Sequence, residues 1–385
     1  MSFYSYTLKK IMAARGVAPE TVAKSAGISA KTLFSIIDGD KAPTKRQIIN
    51  LAKRLAVPPY AFFIEDYNLK PSPIVDFRAN RPKALQYGKD AAKFEYIVTL
   101  RDFLADLYQR LDYDAPQQLF SSEPDENPEQ FARSIENILN LRKIRTNSNN
   151  KVDFFKNFRK AVEDLGIFII QDHHIHEDID GFALYHDSFT SNLIFVNSGK
   201  RNQAAKSFTI AHELAHILGK RSAISNNYEY DNEIESYANE FAACLLIPRE
   251  EILSEIEKRG LVFADYENTL SSAKTLSEYF KSSISAVFVR LERLGLSNKT
   301  HTRLFLSGFG KKEFPDSEKP RSFGSKEGPK PGVIDSAFLG ERASNIIADA
   351  IKLGVTTKYE VFENTGLSKK RIDGLISNIE SAERN

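Results

Sequence analysis

The pattern of apolar positions along the chain predicts a mainly helical protein with one small sheet. Apolar residues recur at helical spacing in residues 7–65, 89–112, 129–168, 208–219, 235–248, 250–296 and 334–380. Three short apolar runs have the length and composition of strands: residues 166–170, 182–185 and 192–197. The predicted fold class is therefore α+β, mainly α with a small antiparallel β-sheet.

Breaks in this pattern predict the domain organisation. Lys70-Pro-Ser-Pro73 cannot continue a helix, and residues 308–333 are rich in Gly, Pro, Lys and Ser. The predicted segments are a helix-turn-helix bundle (1–68), a linker with a helical spacer (69–128), a core containing the sheet (129–307), a flexible linker (308–333) and a small C-terminal helical module (334–385).

One predicted helix carries the clearest chemical signal, Phe208-Thr-Ile-Ala-His212-Glu213-Leu-Ala-His216-Ile-Leu-Gly219. Residues four apart share one face of a helix, so His212 and His216 can both present a ring nitrogen to one metal ion. Glu213 lies about 100° further round the helix, within reach of a water on that ion. The alternative is a pair of histidines that form hydrogen bonds in a core.

A second predicted helix, ended by Pro248, favours the metal site. One of its faces consists of Glu235, Ala238, Asn239, Ala242, Ala243 and Leu246. Burying a carboxylate costs several kcal/mol unless a charge pairs with it, and a divalent cation is a suitable partner. Two His and one Glu leave a fourth position for water, as in catalytic zinc sites. Asp231 and Glu233 are rival ligands that lack an alanine-lined face.

These two stretches resemble the ImmA/IrrE family of zinc peptidases, whose H-E-x-x-H and downstream Glu are of the gluzincin type. The matching words are Phe208-Thr-Ile-Ala-His-Glu-Leu-Ala-His216 and Glu235-x-x-Ala-Asn239-x-Phe-Ala-Ala-x-Leu-Leu-x-Pro248. The resemblance implies that His212, His216 and Glu235 bind Zn2+ and that Glu213 is the general base. Asn239, one turn after Glu235, is placed to orient a ligand histidine. Ala215 departs from the glycine usual in the family.

The N-terminal segment has the spacing of a helix-turn-helix. Ala23 is small where two helices would cross, Gly27 permits a tight turn, and Leu33 and Ile36 would anchor the second helix. Residues 1–66 contain 10 Lys/Arg and 5 Asp/Glu, an excess that favours DNA. The candidate DNA contacts are Lys24, Ser29, Lys31, Ser35, Lys41, Lys45 and Arg46. The alternative is a bundle for protein contact or dimerisation.

Residues 19–57 also resemble the lambda-repressor-like (XRE) helix-turn-helix family, which implies an operator partner and commonly a homodimer. The apolar stretch after Val57, Pro58-Pro-Tyr-Ala-Phe-Phe-Ile64, is predicted to cap the bundle and is a candidate dimer surface. Residues 273–295 also have the residue spacing of a helix-turn-helix, but they are predicted to belong to the core domain.

Other polar residues leave alternatives open. His174 and His176 would share a strand face and could bind a second metal, but the surrounding acids favour a solvated loop. The candidates for stabilising an oxyanion are Tyr185, His186, Tyr228, Tyr230 and Tyr237. In the C-terminal module, Gly366-Leu-Ser-Lys-Lys370 could open another turn and helix. Residues 331–385 contain 7 basic and 8 acidic residues, a balance that fits a protein-contact or dimerisation role as well as nucleic-acid binding.

Composition narrows the class of protein. The chain has 385 residues, 42% hydrophobic and 27% charged residues and a net charge of +2, as in an ordinary globular protein. Its single cysteine excludes an intramolecular disulfide and suits a reducing compartment. Cys244 lies about 180° from Glu235 on the same helix, so it is predicted to pack rather than bind metal. We see no signal peptide and no membrane span, so a cytoplasmic protein is expected.

Together these features predict a DNA-binding, zinc-dependent endopeptidase that regulates transcription. The resemblance implies a repressor or antitoxin-like protein as its substrate. A regulator whose metal domain senses a signal or binds a partner without cleavage is the alternative. Glu213 argues against it, because a sensing site needs no base.

Overall fold

The computed structural model describes most of the 385-residue chain: residues 3–15, 18–55, 57, 59–67, 88–113, 127–173, 179–199, 202–220, 223–226, 233–308 and 331–383. The chain divides into two compact units, Met1–Asp102 with His174–Ile179, and Phe103–His173 with Asp180–Asn385. The predicted boundary at residues 70–73 lies outside the described residues.

The first unit contains a bundle of short helices. They are α1 (Ser5–Arg15), α2 (Pro19–Ala26), α3 (Ala30–Ile37), α4 (Lys45–Leu55) and a 3₁₀ turn at Pro59–Phe63. Leu33, Ile36 and Phe62 are fully buried in its core. The amide of Tyr4 donates to the carbonyl of Phe62, at 2.9 Å, so the stretch after α4 closes the bundle as predicted. α5 (Gly88–Arg110) follows in the sequence.

The second unit contains the sheet and the remaining helices. Its strands are β1 (Phe168–Asp172), β2 (Ile179–Leu184), β3 (Leu193–Asn197) and β4 (Ala223–Asn226). The helices before β4 are α6 (Pro128–Leu139), α7 (Leu141–Asn147), α8 (Lys151–Asp164) and α9 (Gln203–Leu218). Those after β4 are α10 (Glu233–Leu246), α11 (Arg249–Arg259), α12 (Tyr266–Phe280), α13 (Ile284–Arg293), α14 (Lys299–Leu306), α15 (Pro331–Leu339), α16 (Glu341–Lys352), α17 (Lys358–Thr365) and α18 (Lys369–Glu383).

The sheet is mixed, which corrects the prediction of an antiparallel one. The strand order is β1-β3-β2-β4. β2 and β3 pair antiparallel, with Phe182 opposite Phe195, whereas β1 and β3 pair parallel, with Phe168 opposite Leu193. β3 lies between β1 and β2. It runs antiparallel to β2 and in the same direction as β1. β3 is buried along its whole length, as expected for a central strand covered on both faces.

One large core joins α6 to α14 with the sheet. α9 packs against α8, α10 and β3, and α10 packs against α6 and α9. This core includes Leu276, Val287 and Leu291, which come from residues 273–295, the second stretch with helix-turn-helix spacing. The mixed α and β architecture therefore positions α9 and α10 side by side at its centre.

The C-terminal helices are attached to this core by a buried ion pair on α8. Arg159 Nε lies 3.0 Å from Glu163 Oε1, and its Nη1 donates to the carbonyl of Ala337 at 2.7 Å. Glu163 Oε2 accepts from the amides of Glu341, at 2.9 Å, and Arg342, at 3.3 Å. These amides belong to the first turn of α16, where a helix has no internal acceptors for them. The interaction joins α15 and the first turn of α16 to α8 within the second unit.

Glu163 is almost fully buried, and burial raises the pKa of its carboxyl although Arg159 and the two amides oppose that shift.

None of the helices in the part of the chain that the structure describes has the apolar length that spanning a lipid bilayer requires.

Candidate functional site

Helix α9 holds both histidines of the H-E-x-x-H stretch on one buried face. Asn202 caps the helix by accepting from the amide of Ala205 at 2.8 Å. His212 and His216 have exposed fractions of 5% and 2%. Their Nε2 atoms lie 3.2 Å apart, so the predicted i, i+4 pairing is present in the structure.

Helix α10 brings Glu235 to the same point. One carboxylate oxygen, Oε2, lies 3.1 Å from His212 Nε2, and the other, Oε1, lies 3.3 Å from His216 Nε2. The potential ligand atoms of His212, His216 and Glu235 all lie within 4.8 Å of one another. Glu233 is exposed at the start of α10 and is not in this group, and Asp231 lies outside the described residues.

The arrangement of donor atoms fits a divalent cation. Two buried imidazole nitrogens converge with a half-buried carboxylate, and their lone pairs would repel one another unless a proton or a cation lay between them. Imidazole and carboxylate are suitable zinc ligands, and three protein ligands leave a position for water.

The electrostatics of the three groups are strongly coupled. Burial by itself would raise the pKa of Glu235, but hydrogen bonds with His212 and His216 outweigh it and lower that pKa to about 2. Burial by itself would lower the pKa of His212, but Glu235 and the charge of Glu213 raise it. A proton on His212 therefore competes with a cation for the same nitrogen at acidic pH.

Asn239 lies one turn beyond Glu235 and contacts the first histidine. Its Oδ1 is 3.0 Å from His212 Nδ1. An amide oxygen can only accept, so this contact places a proton on Nδ1 and directs Nε2 toward Glu235 and His216.

We expect Asn239→Ala to lower zinc affinity by about 10–100-fold, the usual cost of removing a group that orients a ligand. Competition with a chromophoric chelator would measure the change. Asn137→Ala, at an exposed position on α6, is the control and should bind zinc as the unaltered chain does. Equal affinities for the two variants would show that Asn239 does not orient His212.

Glu213 is fully buried on α9 beneath strand β2. A β-carbon on Gly181 would come 3.2 Å from Glu213 Oε1, 2.5 Å from Thr209 Cγ2 and 2.7 Å from the carbonyl oxygen of Phe195. Gly181 therefore allows the close approach of β2 to α9 that encloses the Glu213 carboxyl. The role of Gly181 was not predicted, although a glycine inside an apolar strand is a signal of close backbone approach.

The oxyanion candidates have local partners or lie outside the described residues. Tyr185 donates to Asp187 at 2.9 Å, and His186 Nδ1 accepts from the amide of Ser188 at 2.9 Å. Tyr237 is half-buried and packs against the core. Tyr228 and Tyr230, like His174 and His176, lie outside the described residues. The structure singles out none of the candidates as the residue that stabilises an oxyanion.

Cys244 is a packing residue, as predicted. It is buried in the main core, and burial raises the pKa of its thiol to about 12. It is not in the cluster formed by His212, His216 and Glu235.

The candidate DNA contacts lie on the surface of the N-terminal bundle, with one exception. Gly27 ends α2 in the left-handed conformation, at φ 69°. Ser29 caps α3 by accepting from the amide of Thr32 at 3.0 Å, so its hydroxyl is engaged. Ser35 is half-buried. The remaining candidates are exposed: Lys24, Lys31, Lys41, Lys45 and Arg46.

The chain was compared with known proteins. Neither the curated proteins nor the solved structures contain a match to it. Residues 162–292, which include β1 to β4, α9, α10 and the whole candidate metal centre, match the model of the Peptidase_M78 family, described as the IrrE N-terminal-like domain, and this match is consistent with a metallopeptidase-like function.

Proposed function

We propose that residues 129–307 form a zinc-dependent endopeptidase. The observation that carries the proposal is the convergence of the buried His212 and His216 with the half-buried Glu235, next to Glu213 on the helix of the histidines. The family match over residues 162–292 supports it, because both helices of the cluster lie within the matched region.

The residues of the chain have distinct roles in this proposal. His212, His216 and Glu235 hold the metal, and Asn239 orients His212. The bound zinc supplies a Lewis acid that polarises the scissile carbonyl and acidifies a water. Glu213 takes the proton of the attacking water and later gives it to the nitrogen of the leaving amine.

The sheet offers a place for an extended substrate. Its edge strands are β1 and β4, and α15 packs against β1. β4 lies next to β2, the strand whose Gly181 adjoins Glu213. A substrate strand adding to the β4 edge by main-chain hydrogen bonds would therefore extend the side of the sheet nearest the candidate base.

The peptidase is proposed to act at DNA. Exposed lysines on α2, α3 and α4, the capped start of α3 and the left-handed Gly27 support an operator-binding role for residues 1–68. By family resemblance, the substrate is a repressor or antitoxin-like regulator, and residues 1–68 form a homodimer on DNA.

Cleavage is tested by incubating the zinc-loaded chain with the regulatory proteins encoded beside its gene. We expect one of them to be cut at a single site, and a chelator to stop the reaction. A chain that binds zinc but cuts none of them would contradict the peptidase and favour a non-proteolytic regulator.

DNA binding is tested by reversing two charges, Lys31→Glu with Lys45→Glu. Using a labelled duplex from upstream of the gene, we expect the slope of log K against log salt to decrease in magnitude by about 1.8, or about 0.9 for each phosphate that the variant no longer neutralises. Zinc content should not change. The control, Lys156→Glu with Lys299→Glu, makes the same charge change at exposed positions of the second unit. Equal slopes for the two variants would contradict the role of residues 1–68.

A further inference from the structure

The C-terminal module repeats the helix-turn-helix of the N-terminal bundle. α2 and α17 each have eight residues, and each is followed by a three-residue turn, Gly27-Ile28-Ser29 and Gly366-Leu367-Ser368. Both glycines are left-handed, with φ of 69° and 67°. The next helix, α3 or α18, begins at the equivalent position in both cases.

The anchors of the two motifs also correspond. Val22, Leu33 and Ile36 are fully buried in the N-terminal bundle. The residues at the equivalent positions of the C-terminal module, Val361, Ile372 and Leu375, are fully buried too.

One hydrogen bond at the start of the second helix corresponds. The amide of Leu33 donates to the carbonyl of Ser29 at 3.0 Å, and that of Ile372 donates to the carbonyl of Ser368 at 3.0 Å. The turns themselves bond differently, because the amide of Ile28 donates to the carbonyl of Ala23, whereas that of Leu367 donates to the hydroxyl of Thr365. The equivalence therefore includes sequence spacing, backbone conformation and core.

Three further differences mark the C-terminal motif. Phe362 replaces the small Ala23, and its 44% exposure shows that the ring turns partly out of the bundle. α18 has 15 residues where α3 has eight. α15 packs against α18, and a β-carbon on Gly332 would come 2.2 Å from the carbonyl oxygen of Gly374, which stands at the position of Ser35. Residues 368–370, at the start of α18, are exposed nevertheless.

The start of α18 is a basic surface. Ser368, Lys369 and Lys370 are exposed. Among the described residues, no ion pair involves Lys369 or Lys370. Their side chains are therefore available to phosphates or base edges, as at the start of a recognition helix.

Two carboxylates that would weaken this basic character, Asp335 and Asp373, are engaged in ion pairs. Asp335 is fully buried and pairs with Arg371, whose Nε lies 3.0 Å from its Oδ1, and Asp373 pairs with Lys358. Tyr359, 71% exposed in the first turn of α17, adds a hydroxyl where the first helix of such motifs meets the DNA backbone.

We infer that residues 358–383 form a second helix-turn-helix that binds duplex DNA through the N-terminal end of α18. B-DNA is the partner that fits, because its major groove admits a helix, whereas the major groove of A-form RNA is deep and narrow. Within the second unit, Arg159 and Glu163 bind α15 and α16, and α18 packs against both of these helices. DNA bound there would hold the metal-binding domain itself, independently of residues 1–68.

The test is Lys369→Glu with Lys370→Glu in the full chain. The probe is a labelled DNA duplex of about 30 base pairs, long enough for sites one helical turn or more apart. We expect the salt slope of binding to decrease in magnitude by about 1.8 relative to the control pair at Lys156 and Lys299. Lys369→Arg with Lys370→Arg should restore the slope, because arginine also contacts phosphates.

The test is separate from that of the N-terminal bundle. Combined with Lys31→Glu and Lys45→Glu, the C-terminal pair should remove a further, additive part of the slope. If the C-terminal pair lowers the slope while the N-terminal pair does not, the inference stands and the role of residues 1–68 fails. Should charge reversal perturb folding, as judged by circular dichroism, Lys369→Gln with Lys370→Gln gives the same comparison.

Two results would overturn the inference. The first is a slope equal to that of the control pair; if self-association in sedimentation changes as well, the surface is a protein contact. The second is equal competition by duplex RNA of the same sequence.

Discussion

Replacing Glu213 with glutamine is expected to reduce cleavage of the protein substrate by about 10²–10⁴-fold while zinc stays bound. Glutamine has nearly the same shape as glutamate, so it fits the enclosed place beneath Gly181. Its amide cannot accept the proton of the attacking water, so the loss falls on catalysis. Single-turnover cleavage followed by mass spectrometry would measure the rate, and metal analysis would measure the zinc content.

The control for this substitution is Glu240→Gln, which makes the same chemical change on α10, where Glu240 pairs with Arg293. The control should cleave like the unaltered chain. If Glu213→Gln also cleaves at the unaltered rate with zinc bound, Glu213 is not the base. If it loses its zinc, the carboxyl serves the metal site instead, and the assignment of roles within H-E-x-x-H is wrong.

The faces that carry His212, His216 and Glu235 were predictable because the signals within each helix are local. Helical spacing alone places His212 and His216 on one face, and the alanine face of the second helix singles out Glu235 from Glu233. Asn239 follows from the same face, and the structure places it against His212. Within each helix the relevant spacing is about one turn, which periodicity resolves, whereas the contact between the two helices joins residues 27 apart in the sequence.

Features that depend on distant contacts were not predictable. The alternation of apolar residues describes each strand but not its neighbour, so the parallel pairing of β1 with β3 was missed. The attachment of α16 to Glu163 joins residues that lie far apart in the sequence, and a buried carboxylate on an amphipathic helix gives no indication of its partner. Gly181 is informative only once α9 is known to pack beneath it.

The C-terminal motif illustrates an intermediate case. The stretch Gly366 to Lys370 predicted a turn and a helix, but charge balance left the type of partner open. The structure adds which charges are engaged: Asp335 and Asp373 are held in ion pairs, while Lys369 and Lys370 are exposed. The net charge of the whole module sums acidic and basic surfaces, whereas a partner binds only one of them.

Replacing Glu235 with glutamine is expected to lower zinc affinity by more than the 10–100-fold typical of groups that only orient a ligand. The reason is that the variant replaces the charged carboxylate between the two imidazoles with a neutral amide. Because a ligand that binds only the folded state stabilises it, zinc should raise the melting temperature of the unaltered chain and have little effect on the variant. Competition with a chelator and thermal melts with and without zinc would measure the two effects.

The matched control is Glu233→Gln, on the same helix two residues earlier. Glu233 is exposed and does not belong to the cluster of potential ligand atoms, so zinc affinity and the zinc-dependent rise in melting temperature should stay unchanged. This pair separates the charge of the helix from the identity of the ligand, because both variants lose one negative charge from the first turn of α10. If Glu233→Gln loses zinc and Glu235→Gln keeps it, the third ligand has been misassigned. If neither substitution affects zinc, the metal is not held by α10, and the convergence of the three side chains would not reflect a metal site.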